Sequence, residues 1–331
     1  MSRHPRLRAS SVPVVAAVAT LLLTGSALAQ ITPTLVIGGK AQQSLGFANQ
    51  TWVAWTSRAN STKHQTLSNA FARPLAGGSR IRLNAQNTQG FTGGFDPGTD
   101  TVIYQQIDLS ARTNPSDLYF YDLDTQTRTS ITEVNTRRWE WGPRISSSYI
   151  LYNLDYRKNQ VWRTAIELYD RSAGTRTRLT SWRTGKFNPP TGAVGETYAT
   201  WTLCSSSCSA YVYDIATATT SEIPTRKDRP QYAPVVDETN ASVSYVRSAT
   251  MSCGRKVVIL RVPVLDPSQT PTRILAMPDG IDIDATMSLA PDPSTGGSDL
   301  LFSRVVCRNL NEDVYELADV GSLSDGSIHG S

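Results

Sequence analysis

The sequence predicts an all-β fold: a six-bladed β-propeller of four-stranded antiparallel blades, closed by the N-terminal strand. The first observation is an aromatic residue that recurs at separations of 49, 48, 49, 44 and 57 residues: Trp55, Tyr104, Tyr152, Trp201, Tyr245 and Phe302. The second is an apolar residue two positions earlier, on the same strand face: Val53, Val102, Ile150, Ala199, Val243 and Leu300. The third is that no stretch has the pattern of a capped amphipathic helix. Periods of about 40–50 residues with four strands each are typical of propeller blades.

Turn and strand signals divide the chain into six units. Hairpin turn chemistry precedes the second strand at residues 96–100 and 292–297. An apolar third-strand mark follows in every unit: Phe71, Tyr119, Tyr121, Leu168, Tyr169, Tyr211, Tyr213, Ile259, Leu260, Val314 and Tyr315. The predicted blades therefore span residues 41–84, 89–133, 139–181, 186–225, 229–277 and 281–320.

The third unit, residues 139–180, shows the pattern most completely. We predict a strand, a turn and a strand up to Tyr152, then a polar loop at residues 155–159. Two more strands around a turn at residues 172–174 complete the unit. Four short strands cannot bury both sheet faces alone, so the unit needs neighbouring blades.

The apolar run at residues 34–37 is predicted to add a strand to the last blade. The chain after Leu317 is short of a clear fourth strand. A ring of blades must close, since open terminal edges favour aggregation. Two linear sandwiches are the alternative, which the regular recurrence of the six aromatic residues does not favour.

The first 29 residues have the pattern of a secretory signal peptide. Three arginines precede an apolar run at residues 12–23, and an Ala-Leu-Ala cleavage site follows at 27–29. We therefore predict a signal peptide at 1–29, a propeller at 30–320 and a flexible tail at 321–331, in a protein secreted to the cell envelope or the extracellular space. An uncleaved anchor is the alternative, although about twelve apolar residues are few for a ~30 Å hydrocarbon core.

The charge balance gives no indication of a nucleic-acid or membrane-surface partner. The chain has 32 basic and 28 acidic residues, and removing the three signal arginines leaves 29 against 28. We expect no nucleic-acid partner, no membrane insertion after signal cleavage, and a monomer. Of three histidines only His64 lies in the predicted folded body, so we predict no metal and no cofactor.

Four cysteines in an exported chain predict disulfides. Of the three possible connectivities we favour a local Cys204–Cys208 clip with a long-range Cys253–Cys307 bond. The other pairings remain open. A zinc site is disfavoured, because the C-x3-C spacing has no histidine nearby.

Two segments of Pro-Asp or Asp-Pro turn followed by an apolar strand carry a family resemblance: residues 95–104 and 290–302. The third-strand and turn segments at 118–125 and 168–180 add to it. The chain resembles the TolB-like six-bladed β-propeller superfamily over nearly the whole predicted mature protein, although units 1, 4 and 5 lack the Pro-Asp element. The resemblance implies the fold; it implies no particular ligand, since this fold hosts many functions.

The loops that join the last strand of one blade to the first strand of the next form one rim of a propeller. Here they are rich in arginine and tryptophan, with carboxylates in the loop into the last blade. The candidate ligand-binding residues are Arg138, Trp139, Glu140, Trp141, Trp182, Arg183, Lys186, Arg229, Asp282 and Asp284. Trp and Arg often anchor binding surfaces, and Trp faces stack on sugars. The alternative is that the tryptophans pack between blades and the charges form a solvated rim.

The sequence thus predicts a secreted binding or interaction module with an unknown protein or glycan ligand at the blade-joining rim. It contains no G-x-S-x-G nucleophile motif, and we predict no catalytic residue. One alternative is a carbohydrate-active enzyme in which Glu140 and one of Asp228, Asp282 or Asp284 form the carboxylate pair of a glycoside hydrolase. Another is a structural envelope protein. The acidic residues Asp279, Asp282 and Asp284 also allow a calcium site, or ordinary turn chemistry.

Overall fold

The computed structural model of the protein describes residues 34–38, 41–58, 67–110, 115–184, 191–205, 207–224, 229–248, 257–291, 298–307 and 311–317. Contacts divide the chain into Met1–Ile31 and Thr32–Ser331, and all described residues belong to the second unit. The predicted signal peptide and the predicted tail lie outside them. No helix in the described ranges is long and apolar enough to span a membrane.

The first three blades are antiparallel sheets of consecutive strands. Blade 1 contains β2 (Gln42–Ala48), β3 (Trp52–Arg58), β4 (Ser68–Pro74) and β5 (Ile81–Arg82). Blade 2 contains β6 (Thr88–Phe95), β7 (Thr101–Asp108), β8 (Ser116–Asp122) and β9 (Thr127–Ser130). Blade 3 contains β10 (Trp139–Ile145), β11 (Tyr149–Lys158), β12 (Val161–Asp170), β13 (Thr175–Arg178) and the short β14 (Arg183–Thr184).

Blades 4 and 5 repeat the same order, and blade 6 takes its outermost strand from the N-terminal side. Blade 4 contains β15 (Thr191–Val194), β16 (Tyr198–Cys204), β17 (Cys208–Asp214) and β18 (Thr219–Glu222). Blade 5 contains β19 (Gln231–Asp237), β20 (Ser242–Arg247), β21 (Val258–Pro263) and β22 (Thr272–Ala276). Blade 6 contains β23 (Ile281–Pro291), β24 (Ser298–Val306), β25 (Asn311–Leu317) and β1 (Thr34–Ile37).

The ring closes as predicted. Strand β1 pairs antiparallel with β25, with Thr34 opposite Glu316 and Leu35 opposite Tyr315. The first strand of each blade packs on the first strand of the next, and β23 packs on β2. The N-terminal strand therefore covers the outer edge of the last blade, and the first strands surround a central axis.

The hydrophobic core lies between successive blades. All six recurrent aromatic residues are on the second strand of a blade and at most 4% exposed. Around Tyr104, for example, one cluster joins Ala54 and Leu83 of blade 1 to Val102 of blade 2. Burying such a side chain stabilises by about 1.5–3 kcal/mol. Packing of this kind around a closed ring excludes the alternative of two linear sandwiches.

Blade 3 differs from the prediction at its second turn. The prediction of a polar loop at residues 155–159 was wrong, because β11 continues to Lys158 and forms a hairpin with β12 in which each strand is ten residues long. The turn consists of Asn159 and Gln160, both with positive φ (52° and 65°), which suits a two-residue type I′ turn. Strand β14 then adds to β12 opposite Arg163.

Every first strand contains a bulge, where its register with the second strand shifts. The first residue in register after each shift is called here the post-bulge position. The six post-bulge residues are Phe47, Gly94, Arg144, Val194, Val235 and Met287.

Cys204 and Cys208 form a disulfide between paired positions of β16 and β17, as predicted. Cys307 is also disulfide-bonded. Cys253, its predicted partner, lies outside the described residues.

Candidate functional site: an arginine-lined cavity in blade 3

A cavity of about 620 Å³ opens where the connector between β9 and β10 meets one face of blade 3. We call it the blade 3 cavity. Its lining consists of four arginines, one carboxylate and two other residues: Arg137, Arg138, Arg176, Arg178, Glu167, Thr136 and Leu154. With one carboxylate against four guanidinium groups, the lining carries a formal excess of three positive charges.

Strand register assembles the floor of the cavity. Glu167 on β12 lies opposite Tyr152 on β11 and opposite Arg178 on β13. Residues opposite one another in a sheet point to the same face, so the three side chains form a row. Because side chains alternate along a strand, Arg176 shares the face of Arg178.

Glu167 interrupts a pattern that the other blades keep. In the other five blades the residue paired with the recurrent aromatic is itself aromatic or apolar. These residues are Phe71 in blade 1, Tyr119 in blade 2, Tyr211 in blade 4, Leu260 in blade 5 and Tyr315 in blade 6. In four of those blades the two rings lie 5.8–6.2 Å apart. Blade 3 places a carboxylate at this apolar position, and residues that break a local rule concentrate at functional sites.

The carboxylate of Glu167 is only 7% exposed and is fully engaged. Arg178 donates to Oε1 from Nη2 at 3.1 Å and from Nε at 3.3 Å. The Tyr152 hydroxyl donates to Oε2 at 3.1 Å. Burial raises the pKa of Tyr152 and the Glu167 charge raises it further, so the phenol stays a donor and holds the carboxylate in place.

The other three arginines have different surroundings. Arg176 donates from Nε to the backbone oxygen of Glu133 at 3.1 Å, which ties blade 3 to the connector. The guanidinium of Arg138 lies 5.0 Å from the Tyr156 ring centre and 5.3 Å from that of Trp182. In the part of the chain that the structure describes, neither Arg137 nor Arg138 has a carboxylate partner. Both are exposed, so their charges are available to a ligand.

The aromatic rings beside the cavity are held by one another and by arginine. Tyr156 and Trp182 meet edge to face, with centres 4.5 Å apart. The guanidinium carbon of Arg178 lies 4.5 Å from the centre of the Trp182 ring. Cation–π contacts of this kind orient the guanidinium groups without consuming their hydrogen-bond donors.

Glu140 lies beneath the connector, with no exposed surface. Thr136 Oγ1 donates to its Oε1 at 2.5 Å, while Oε2 has no hydrogen-bond partner among the described residues. Burial raises the pKa of Glu140 to about 7, against the effect of the Thr136 hydrogen bond, and Asp117 adds repulsion. The residue therefore supports the connector rather than lining the cavity.

The predicted site residues divide into several groups. Arg138 lines the cavity and Trp182 flanks it. Trp139, Glu140 and Trp141, expected in a loop, are instead in β10, and the Trp139 ring packs 5.0 Å from that of Trp162. Their placement in a loop was wrong, because β10 begins at Trp139. A ligand-binding role for these three residues stays a prediction.

The remaining predicted residues do not join this cavity. Arg183 lies in β14, Arg229 precedes β19, and Asp282 in β23 accepts a hydrogen bond from the Tyr232 hydroxyl at 2.9 Å. Lys186, Asp228 and the side chain of Asp284 lie outside the described residues. Among the residues that are described, no group of three His, Cys, Asp or Glu side chains could hold a metal ion.

The sequence prediction missed Glu167, Arg176 and Arg178. A signal for Glu167 exists: Tyr119-x-Tyr121 and Tyr211-x-Tyr213 in units 2 and 4 align with Glu167-x-Tyr169 in unit 3. The two arginines alternate with threonine in β13, Thr175–Arg178, a pattern that does not by itself indicate which face carries a cavity.

No family model and no curated protein matches the chain. Among solved structures, TolB from Acinetobacter baumannii aligns with a TM-score of 0.52 and 14% identity over 80% of this chain and 63% of that one, so the chain spans less than two thirds of that relative. A putative TolB from Agrobacterium tumefaciens aligns with a TM-score of 0.53 and 12% identity over 84% and 90% of the two chains. An oligogalacturonate lyase in complex with manganese aligns with a TM-score of 0.52 and 11% identity over 79% and 73%.

At these identities the likeness establishes the fold. The chain shares the six-bladed propeller of TolB proteins, which confirms the predicted TolB-like fold. Because the similar structures also include an enzyme, the fold does not decide between binding and catalysis.

Proposed function

We propose that the protein is a secreted binding module whose ligand is anionic and binds in the blade 3 cavity. The observation that carries the proposal is the cavity lining, in which four arginines face one carboxylate that Arg178 and Tyr152 already engage. Guanidinium groups recognise carboxylate, sulfate and phosphate groups through paired hydrogen bonds.

The size of the cavity favours a ligand larger than a single ion. About 620 Å³ lies within the range of 300–1,000 Å³ typical of small-molecule sites. Tyr156 and Trp182 beside the arginines add flat apolar surface of the kind that contacts sugar rings. An acidic glycan segment combines these features, and we propose this ligand class.

Export is part of the proposal. The Cys204–Cys208 disulfide supports an oxidising compartment, where such bonds persist. N-terminal sequencing of the exported protein is expected to begin at Gln30, and an N-terminus at Met1 would refute cleavage.

Binding to a sulfated or carboxylated glycan tests the site directly. Isothermal titration with heparin and with polygalacturonate, against neutral dextran, should show acidic-glycan binding that weakens as salt rises. The Arg137→Ala/Arg138→Ala variant should bind about 5- to 30-fold more weakly, since two exposed charges together contribute about 1–2 kcal/mol. Both side chains are exposed, so the fold should be retained.

Arg273→Ala is the matched control. Arg273 is an exposed arginine on β22, at the position in blade 5 that Arg178 occupies in blade 3. Its substitution should leave affinity unchanged. Equal affinity in the double variant and the wild type would exclude the blade 3 cavity as the site, and a protein that copurifies while no glycan binds would instead support the structural envelope role.

The carbohydrate-active enzyme remains a second candidate because Glu140 has the pKa of a general acid. A carboxyl that titrates near pH 7 suits proton donation to a leaving group. Its complete burial separates it from a ligand in the cavity, so binding is favoured over catalysis. Turnover of a glycan by the wild type that disappears in Glu140→Gln would reverse this preference.

A further inference from the structure

A second cavity, of about 330 Å³, lies on the axis of the ring and is lined by residues of all six blades. All six post-bulge residues contribute to its wall. Five of them are apolar or glycine, and Arg144 of blade 3 is the exception. The cavity reaches solvent beside Pro97 and Gly98, which are exposed.

Arg144 is buried in this wall, with 5% of its surface exposed. Its Nε donates to the backbone oxygen of Gly192 at 2.8 Å, and its Nη1 donates to that of Pro143 at 2.7 Å. The guanidinium carbon lies 5.0 Å from the Phe47 ring centre. These partners are neutral, and a guanidinium has five N–H donors, so donors remain for another acceptor.

No described carboxylate balances the charge. Among the described residues that line the cavity, Asp96 is the only acidic one. Both of its oxygens accept from Arg171, at 2.7 and 2.8 Å. Burial lowers the pKa of Arg144 to about 10, a direction that a paired carboxylate would oppose, yet the group stays protonated at neutral pH.

An unbalanced buried charge is costly, and a bound counter-ion removes much of that cost. The rest of the wall constrains what the counter-ion is. Most of the other side chains in the lining are apolar, among them Phe47, Val194, Val235, Val236 and Met287. They offer contact area to a hydrocarbon group rather than to a hydrated ion.

We propose that the central cavity is a binding site for a small apolar carboxylate, whose carboxyl group pairs with Arg144 and whose hydrocarbon part packs on the post-bulge residues. The site is separate from the blade 3 cavity, which is larger and has four exposed or half-exposed arginines in place of one buried one.

Ligand-induced thermal stabilisation of the full-length mature protein tests the proposal. Benzoate and hexanoate should raise Tm by about 4 °C at a concentration near 100 times Kd. Their neutral counterparts benzamide and hexanamide, and sodium chloride at equal ionic strength, should not. Equal responses to acid and amide, or to benzoate and chloride, would overturn the assignment.

Arg144→Met locates the effect. Replacing a buried, unpaired charge by an apolar side chain of similar length should preserve or raise Tm without ligand, and the benzoate response should vanish. The Arg137→Ala/Arg138→Ala variant should keep the response, and its loss there would move the carboxylate to the blade 3 cavity. If Arg144→Met does not fold, the comparison of benzoate with benzamide in the wild type still decides the proposal.

Discussion

The buried carboxyl of Glu140 leads us to predict that the free energy of unfolding falls as the pH rises. Its carboxyl is completely buried beneath the connector that carries Arg137 and Arg138, and only Oε1 has a hydrogen bond, from Thr136. The Glu140→Gln variant keeps the shape of the side chain and the Oε1 acceptor, but its amide group does not ionise. The difference between wild type and variant therefore isolates the charge.

The magnitude follows from the folded and unfolded pKa values. Burial raises the pKa of Glu140 from its ordinary 4.5 to about 7. Below pH 4.5 the group is protonated in both states and its charge has no effect on stability. Between pH 4.5 and 7 the unfolded chain ionises first, so the free energy of unfolding falls. Above pH 7 the loss is complete, at about 3 kcal/mol.

Thermal denaturation of both proteins between pH 4 and pH 8 measures this loss. The Tm of Glu140→Gln relative to wild type should rise by about 5 °C across that window. Glu133→Gln is the matched control, since Glu133 is an exposed residue of the same connector, and it should track the wild type. A wild-type-to-variant difference that is independent of pH would refute the assignment of a protonated Glu140.

Three further expectations concern the fold and the repeat. Trp201→Ala should lower the free energy of unfolding by about 3–5 kcal/mol, because its ring is 1% exposed. Leu265→Ala, at a residue that is 78% exposed, should change it by less than about 0.5 kcal/mol. Urea denaturation measures both variants, and equal losses of free energy would contradict the interblade core. Glu167→Tyr, which introduces the tyrosine found at this position in blades 2, 4 and 6, should preserve or raise the free energy of unfolding in urea denaturation. A decrease of more than ~2 kcal/mol would show that the carboxylate stabilises the blade. Deleting residues 30–38 exposes the β25 edge and should produce concentration-dependent aggregation in light scattering; a monodisperse product would show that closure by β1 is dispensable.

The fold was predictable because its signal is repeated six times. A buried aromatic such as Tyr104 or Trp201 packs between two blades, and each new unit repeats the same requirement at nearly the same spacing. The N-terminal closure was predictable for a related reason: the last unit lacked a fourth strand, and the apolar run ending at Ile37 was unassigned. The errors concerned the ends of strands, as at residues 155–159. There the β11–β12 hairpin is longer than the corresponding hairpins of the other blades, and its strands continue through charged residues that the sequence pattern assigned to a loop.

The candidate site was only partly predictable, because it depends on register. Arg138 was identifiable from its loop, but the link between Glu167 and Arg178 requires knowing that the two residues are opposite one another on β12 and β13. Arg144 is a stronger example. In the sequence it follows Gly142 and Pro143 as one arginine among many, and only the bulge in β10 turns it toward the central cavity.

Blade 3 carries both departures from the repeat, and this coincidence supports a functional role for it. Its post-bulge residue is charged where the other five are apolar or glycine, and the residue opposite its recurrent aromatic is charged where the other five are apolar or aromatic. A structural repeat under selection for packing alone would fill both positions with apolar side chains, because each buried charge weakens the blade. Arg144 and Glu167 are on different strands and contribute to different cavities, so one local rearrangement does not explain both. The two charges are more simply explained if blade 3 provides the binding chemistry of a ring whose other blades hold it in place.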